Sequence, residues 1–323
     1  MEQTLEFTRN PKELKGAGRV GRGPSGQHVL WAMIFVPVGV IVAAGGIGLA
    51  LWEFGLLPAP AQTGIPTGTM LCLAGVVFLL GLGFVLMFRG DLRWLFKRGR
   101  FDPSQPWLYD YSWNPREFRS SSWGEVLSGL YLLVFCALLT PPALALAAAD
   151  SRGFILVVFA GLGLLVCGYL FIKAVLQHLK YGDTWVRFQQ FPYHPGERIV
   201  LGWGTQRGFN PYNWIKFTLR YVEEERRTRR GRDGIEHISY YPIEIWANSF
   251  TMEEDDRFTP KREQGRAFDV PADAPSTHLR GDPPSYWELE VEVDAPGVNF
   301  QRTYGVPIYQ RPPQQWTQEA AAG

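Results

Sequence analysis

The sequence is short of the residues from which most catalytic and metal sites are built. Its 323 residues include 3 cysteines and 5 histidines. Cys72, Cys136 and Cys167 all fall inside apolar runs, where a thiol behaves as a small hydrophobe, and they are too few for a disulfide framework. His28, His178, His194, His237 and His278 are scattered, with no ligand spacing to cysteine or acid. The close pairs His194/Glu197 and Glu236/His237 fall at expected turn or strand-edge positions. There is no phosphate-cradling glycine loop with its Lys-Ser/Thr, and no HExxH, CxxC or GxSxG. The expectation is a non-catalytic chain without cofactor or metal. An excess of one charge is missing too. With 32 Lys+Arg against 31 Asp+Glu, the formal net charge is +1, which lacks the basic surplus of a nucleic-acid binder.

Long apolar runs, by contrast, are abundant. A mean hydropathy of −0.08 suits a soluble protein, but the apolar residues are concentrated in the first 180 positions. Four segments reach the roughly 20 residues needed to cross a bilayer: Val29–Trp52, Thr67–Phe88, Val126–Ala149 and Phe154–Leu176. None has a charge deep inside; Glu53, Asp150, Arg152 and Lys173 lie at or near the ends. Ion-coupled transport needs ionisable groups at membrane depth, and transporters built from inverted repeats use more helices, so transport is disfavoured.

Charge asymmetry orients these spans. Arg9, Lys12, Lys15, Arg19 and Arg22 precede the first, and Glu53 to Pro66 contains no Lys or Arg. Arg89, Arg93, Lys97, Arg98, Arg100, Arg116 and Arg119 follow the second span, and only Arg152 lies between the third and fourth. The positive-inside rule then places both termini in the cytoplasm. The first apolar run starts late and is too long for a cleaved signal, so it reads as a retained anchor. Small residues spaced by four (Gly39/Ala43, Ala44/Gly48, Gly46/Ala50, Gly163/Cys167) offer close helix contacts, within the chain or between copies in a homo-oligomer. Thr140-Pro141-Pro142 predicts a kink in the third span.

The connection between spans two and three pairs basic residues with large rings. Arg93, Trp94, Lys97, Arg98, Trp107, Tyr109 and Trp113 read as a membrane-interface collar, the cations drawn to anionic head groups and the rings to the water boundary.

Beyond Lys180 the period shortens to two. Ile215/Phe217/Leu219/Tyr221, Trp287/Leu289/Val291/Val293 and Tyr304/Val306/Ile308 alternate with polar neighbours. Thr184–Phe191, Arg198–Trp203, Tyr240–Trp246 and Arg266–Val270 bring the expected strands to seven. Pro195-Gly196, Asp233-Gly234 and Pro296-Gly297 mark turns between them. Strands without helices between them imply an antiparallel β-sandwich, immunoglobulin-like, following a four-helix membrane bundle. Arg226, Arg227, Arg229 and Arg230 fall at an exposed hairpin that is a candidate partner or lipid contact. The expected organisation is an N-terminal cytoplasmic tail (1–28), a first membrane hairpin (29–88) and the aromatic connection (89–124). A second hairpin (125–177), the sandwich (181–310) and a loose end (311–323) follow.

Several motifs resemble those of a bacterial inner-membrane family that joins membrane hairpins, a cytoplasmic Pro-Trp-Leu-aromatic segment and an arrestin-like tail. They are Pro106-Trp107-Leu108-Tyr109 with Trp113, FQQFPYHPGERIVLGW (188–203), FDVPADAPS (268–276) and WELEVEVDAPGVNFQRTYGVPIY (287–309). Tyr109 stands where tryptophan is expected, and the Arg-rich hairpin is enlarged. The resemblance implies a fold and a compartment and carries no activity with it. The expected partners are the lipid bilayer and a protein held by the sandwich, with strand addition at a sheet edge as one mode. The alternative is an immunity or stress-defence protein acting through its membrane helices. A membrane enzyme at the aromatic collar is the third reading.

Overall fold

A computed structural model describes residues 7–14, 26–54, 56, 67–96, 105–149, 153–208, 211–230, 236–253 and 264–311. The chain divides into a helical unit (24–97 and 122–178) and a sheet unit (1–23, 98–121 and 179–323).

Four long helices follow the apolar runs: α1 (Gly26–Glu53), α2 (Thr67–Phe96), α4 (Trp123–Ala149) and α5 (Phe154–Tyr181), with a short α3 (Pro106–Asp110) before α4. At 1.5 Å per residue, the 28 residues of α1 extend about 42 Å. All four are long and apolar enough to cross a membrane. Their large apolar side chains point outward: Ile41, Leu127, Phe159 and Leu165 are exposed, Leu165 at 74%. A helix solvated by water buries such residues, whereas one solvated by hydrocarbon does not need to.

The helices meet through small residues. A Cβ on Gly39 would lie 2.7 Å from the Gly81 carbonyl oxygen, and one on Gly46 would lie 2.7 Å from that of Ala74. Gly81 in turn abuts Ala43, so α1 and α2 touch backbone to backbone. The Tyr131 hydroxyl of α4 donates to the Leu79 carbonyl of α2 at 2.6 Å. Between α4 and α5 the Cys136 and Cys167 sulfurs lie 3.6 Å apart, with Gly163 beside Cys136. The pairs Gly39/Ala43 and Gly163/Cys167 thus serve contacts within the chain. Helix α4 runs unbroken through Pro141-Pro142, and Thr140 Oγ1 donates to the Cys136 carbonyl at 3.2 Å.

Nine strands make up the two sheets of the other unit among the described residues: β1 (Lys12–Glu13), β2 (Glu117–Ser120), β3 (Thr184–Phe188), β4 (Arg198–Thr205), β5 (Trp214–Arg230), β6 (Glu236–Glu253), β7 (Gln264–Asp269), β8 (Ser285–Asp294) and β9 (Phe300–Val306). One sheet is ordered β1-β6-β5-β8-β9 and the other β2-β3-β4-β7, and every pairing is antiparallel. Period-two alternation turns Ile215, Phe217, Leu219 and Tyr221 of β5, and Trp287, Leu289, Val291 and Val293 of β8, into one core with Val186, Ile199, Leu201 and Trp203 of the smaller sheet. Trp203 Nε1 donates to the Tyr304 hydroxyl at 3.3 Å, and that hydroxyl donates to Thr184 Oγ1 at 2.6 Å, so the polar tips of the core aromatics are satisfied. Gly196 and Gly297, at φ 79° and 90°, supply the left-handed residue of the two Pro-Gly turns.

All seven strands expected from the alternation are present. Two more, β1 and β2, come from stretches read as tail and connection, and they extend the sheets at β6 and β3.

Candidate functional site

Strand β6 pairs along its whole length with β5, and among the described residues its other side meets only the short β1. Residues 7–14 lie along this edge. The Asn10 amide donates to the Ile245 carbonyl at 2.8 Å and the Leu14 amide to that of Pro242 at 3.1 Å, on either side of the Lys12/Glu244 pair. Donors toward β6 therefore come from alternate positions. Pro11, which has no amide hydrogen, occupies an intervening one where none is needed.

Phe7 anchors the start of this segment. Its ring lies 5.7 Å from that of Tyr221 and 6.4 Å from those of Trp246 and Trp287, and its amide donates to Asp273 Oδ1 at 3.1 Å. The pocket walls also support each other: Trp287 sits 5.3 Å from both Tyr221 and Trp246. Burial raises the Tyr221 hydroxyl pKa above its ordinary value, keeping it protonated. At the other end Leu14 packs with Val222, Leu279 and Tyr286. Residues 8–13 between these anchors are exposed.

A cleft flanks the segment on each side. The larger, about 660 Å³, is lined by Arg9, Pro11, Glu223, Glu225, Ile243 and Pro283, among others. The smaller, about 510 Å³, is lined by Thr8, Asn10, Glu244, Trp246 and Ala247. The sheet side carries both charges, Glu225 being paired with Arg227 and Glu244 with Arg220. Glu223 takes a 2.5 Å ion pair from Arg9, both side chains being partly exposed. The chemistry on offer is recognition: a strand edge engaged by an extended segment, an aromatic pocket and a carboxylate paired with a cation of that segment.

The residues singled out from the sequence fall in three places. Arg93 and Trp94 lie in α2 with side chains outside the described set, as are Lys97 and Arg98. Trp107, Tyr109 and Trp113 are engaged with the sheet unit. Trp107 packs edge-on to Phe191 and Tyr309, Trp113 Nε1 donates to the Tyr309 hydroxyl at 3.0 Å, and the Arg280 guanidinium lies 3.6 Å from the Tyr109 ring centre. Between them, buried Asp110 accepts hydrogen bonds from the Leu279 and Arg280 amides and the Tyr309 hydroxyl, each at 3.0 Å. Burial, with the Asp110 carboxylate alongside, raises the Tyr309 pKa. This arrangement is a clasp that fastens 107–113 to the sandwich.

Arg226 and Arg227 lie at the rim of the groove. Arg226 lines the larger cleft and pairs with Asp282 at 3.3 Å. Arg227 pairs with Glu225 at 2.8 Å and with Glu13 at 3.6 Å, over the Tyr241 ring. Arg230 is exposed, and the Arg229 side chain is outside the described set. Sequence reasoning missed Phe7, Glu223, Trp246 and Glu244 as groove residues. The available signal was one aromatic, two positions before an arginine, in an otherwise polar N-terminal stretch.

Two other polar clusters are structural. Ser122 Oγ and His178 Nδ1 lie 2.6 Å apart where α4 begins and α5 ends, with the Trp123 ring over the imidazole. On the larger sheet, Arg220 meets Glu288 and Glu290 at 2.7 Å and Glu244 at 3.8 Å, forming a largely buried cross-strand network. Among the described residues no group of His, Cys, Asp and Glu has the makings of a metal site.

No family model and no curated protein matches the chain. Among solved structures it is similar to Spo0M, a sporulation control protein from Bacillus subtilis, at 17% identity and a TM-score of 0.24. That match covers 43% of this chain and 54% of the other, so it spans about half of the other protein's length, and it carries no functional argument.

Proposed function

We propose that this chain is a non-catalytic membrane-anchored docking protein whose β-sandwich holds a protein partner by adding an extended segment to the β6 edge. The observation that carries the reading is the groove itself. A strand edge lies beside an aromatic pocket and a carboxylate, Glu223, that binds Arg9, and a segment of the chain already pairs there in the manner of a bound peptide. The four apolar helices support a bilayer as the second partner. Within this proposal the membrane is the bacterial inner membrane, both termini are cytoplasmic, and the sandwich is arrestin-like. The Lys/Arg asymmetry of the connections and the motif resemblance support those three points.

The test is capture from membranes by the full chain with a photo-crosslinker placed at Ala247 on the β6 edge. A discrete crosslinked partner that disappears when Trp246→Ala removes a wall of the pocket supports the reading. Crosslinks unaffected by that change would defeat it. So would a cellular phenotype of the gene that survives deletion of residues 181–323, since the helices would then carry the function.

A further inference from the structure

Resting on that reading, we infer that the groove is a receptor for a partner peptide bearing an aromatic residue and, two positions later, a basic one, and that residues 7–14 hold the groove until such a peptide displaces them. The juxtaposition is specific. Phe7 fills the Tyr221/Trp246/Trp287 pocket, Arg9 reaches Glu223, and Asn10 and Leu14 donate to β6. These features define the ligand class: an extended strand, antiparallel to β6, aromatic-x-basic at its start and aliphatic near its end.

Three observations point to an exchangeable occupant. First, the pocket walls contact one another without help from Phe7, so the receptor is preformed in the sandwich core. Second, residues 8–13 are exposed and the Arg9–Glu223 pair is partly solvated, so the grip depends on two half-buried apolar ends and a few edge hydrogen bonds. Segments held this lightly open at the low end of the local stability scale. Third, the clefts on both flanks leave space that the segment does not fill, and Glu223, held by Arg9 of the segment, calls for a new basic partner once the segment leaves, whereas Glu225 and Glu244 keep Arg227 and Arg220. A tethered occupant acts at an effective concentration in the millimolar range, and a competitor's apparent affinity falls by the fraction of time the groove is free. A weak partner sequence is thereby excluded and a strong one admitted.

The experiment uses the full chain in detergent or nanodiscs and a fluorescent octapeptide, Phe-Thr-Arg-Asn-Pro-Lys-Glu-Leu, followed by anisotropy. Removing residues 1–14 is expected to tighten binding by about tenfold or more relative to the intact chain. Peptide variants with Phe→Ala or Arg→Glu are expected to lose about tenfold on the truncated chain, and the Arg→Glu loss should be recovered in part by Glu223→Lys. Equal binding to intact and truncated chains would overturn the proposal, as would indifference to both peptide substitutions. Dimers of the intact chain that vanish on truncation would overturn it in favour of a second copy's N-terminal segment. A Val/Thr-rich strand peptide that binds the truncated chain as well as the octapeptide would sink the ligand class and leave edge docking standing. No binding by either peptide would sink both.

Discussion

Glu288 shows how much a single side chain can reveal about the sandwich. It is fully buried on β8, opposite Arg220, which binds it at 2.7 Å. Burial pushes its carboxyl up to about 7; Arg220 pulls the other way, and Glu290 and Glu244 add repulsion. In the unfolded chain the same group titrates near 4.5. Between those values the folded protein binds more protons than the unfolded one, so stability falls as pH rises through about 7 and the penalty is complete above it. Unfolding followed by tryptophan fluorescence is expected to show a sheet unit less stable at pH 8 than at pH 5, by on the order of 3 kcal/mol from this group. Glu288→Gln should flatten that slope, and a wild-type profile level from pH 5 to 8 would refute the assignment. Asp110 is a second buried carboxyl group, with three donors around it. Asp110→Ala leaves two amides and a hydroxyl without their acceptor and should cost about 3 kcal/mol. In hydrogen exchange the Leu279 and Arg280 amides should then lose protection before the core of β8.

At the scale of elements, the helical unit makes a paired prediction. A Cβ on Gly81 would collide with the backbone of α1 at Gly39 and Ala43, whereas one on Gly48 meets nothing within 4 Å. Gly81→Leu is expected to force α1 and α2 apart, an overpacking cost of about 1–3 kcal/mol or more, visible as a lower aggregation temperature in detergent. Gly48→Ala should leave that temperature unchanged or slightly raised. Equal effects would mean the two helices do not meet along this seam. Such elements were largely legible in the sequence because their periods are long: runs of 20 or more apolar residues for the spans, and seven alternating stretches for the sheets. Strands β1 and β2 were not. Two and four residues are too few for an alternation to register, and their identity as strands is settled by the edges of β6 and β3 that they join. The aromatic segment has a use in the sheet unit that its composition did not show, for a related reason. Rings suited to a membrane boundary are equally suited to a protein surface, and only the hydrogen bonds of Trp113 and Asp110 show the second use. The groove was least legible of all, since it joins residues 7–14 to residues more than two hundred positions away.

For the whole molecule, the proposed orientation rests on the distribution of positive charge around the four apolar helices. The connection after the second span carries Arg89, Arg93, Lys97, Arg98 and Arg100 within twelve residues, and Glu53 to Pro66 carries no Lys or Arg. Each basic residue near an anionic leaflet is worth about 1 kcal/mol, and the bias acts on short connections of this kind. A reporter active only in the cytoplasm should therefore work when fused after Gly323 or inserted near Ser104, and fail when inserted between Leu57 and Pro66. One active only outside should give the reverse pattern. Neutralising Arg93, Lys97, Arg98 and Arg100 together removes most of the asymmetry around the second span and should produce a mixed population. A cytoplasmic signal from the 57–66 insertion in the unaltered chain would reverse the orientation. The groove would then face a compartment where a cytosolic partner could never reach it, so the docking proposal depends on this result before any peptide is tried.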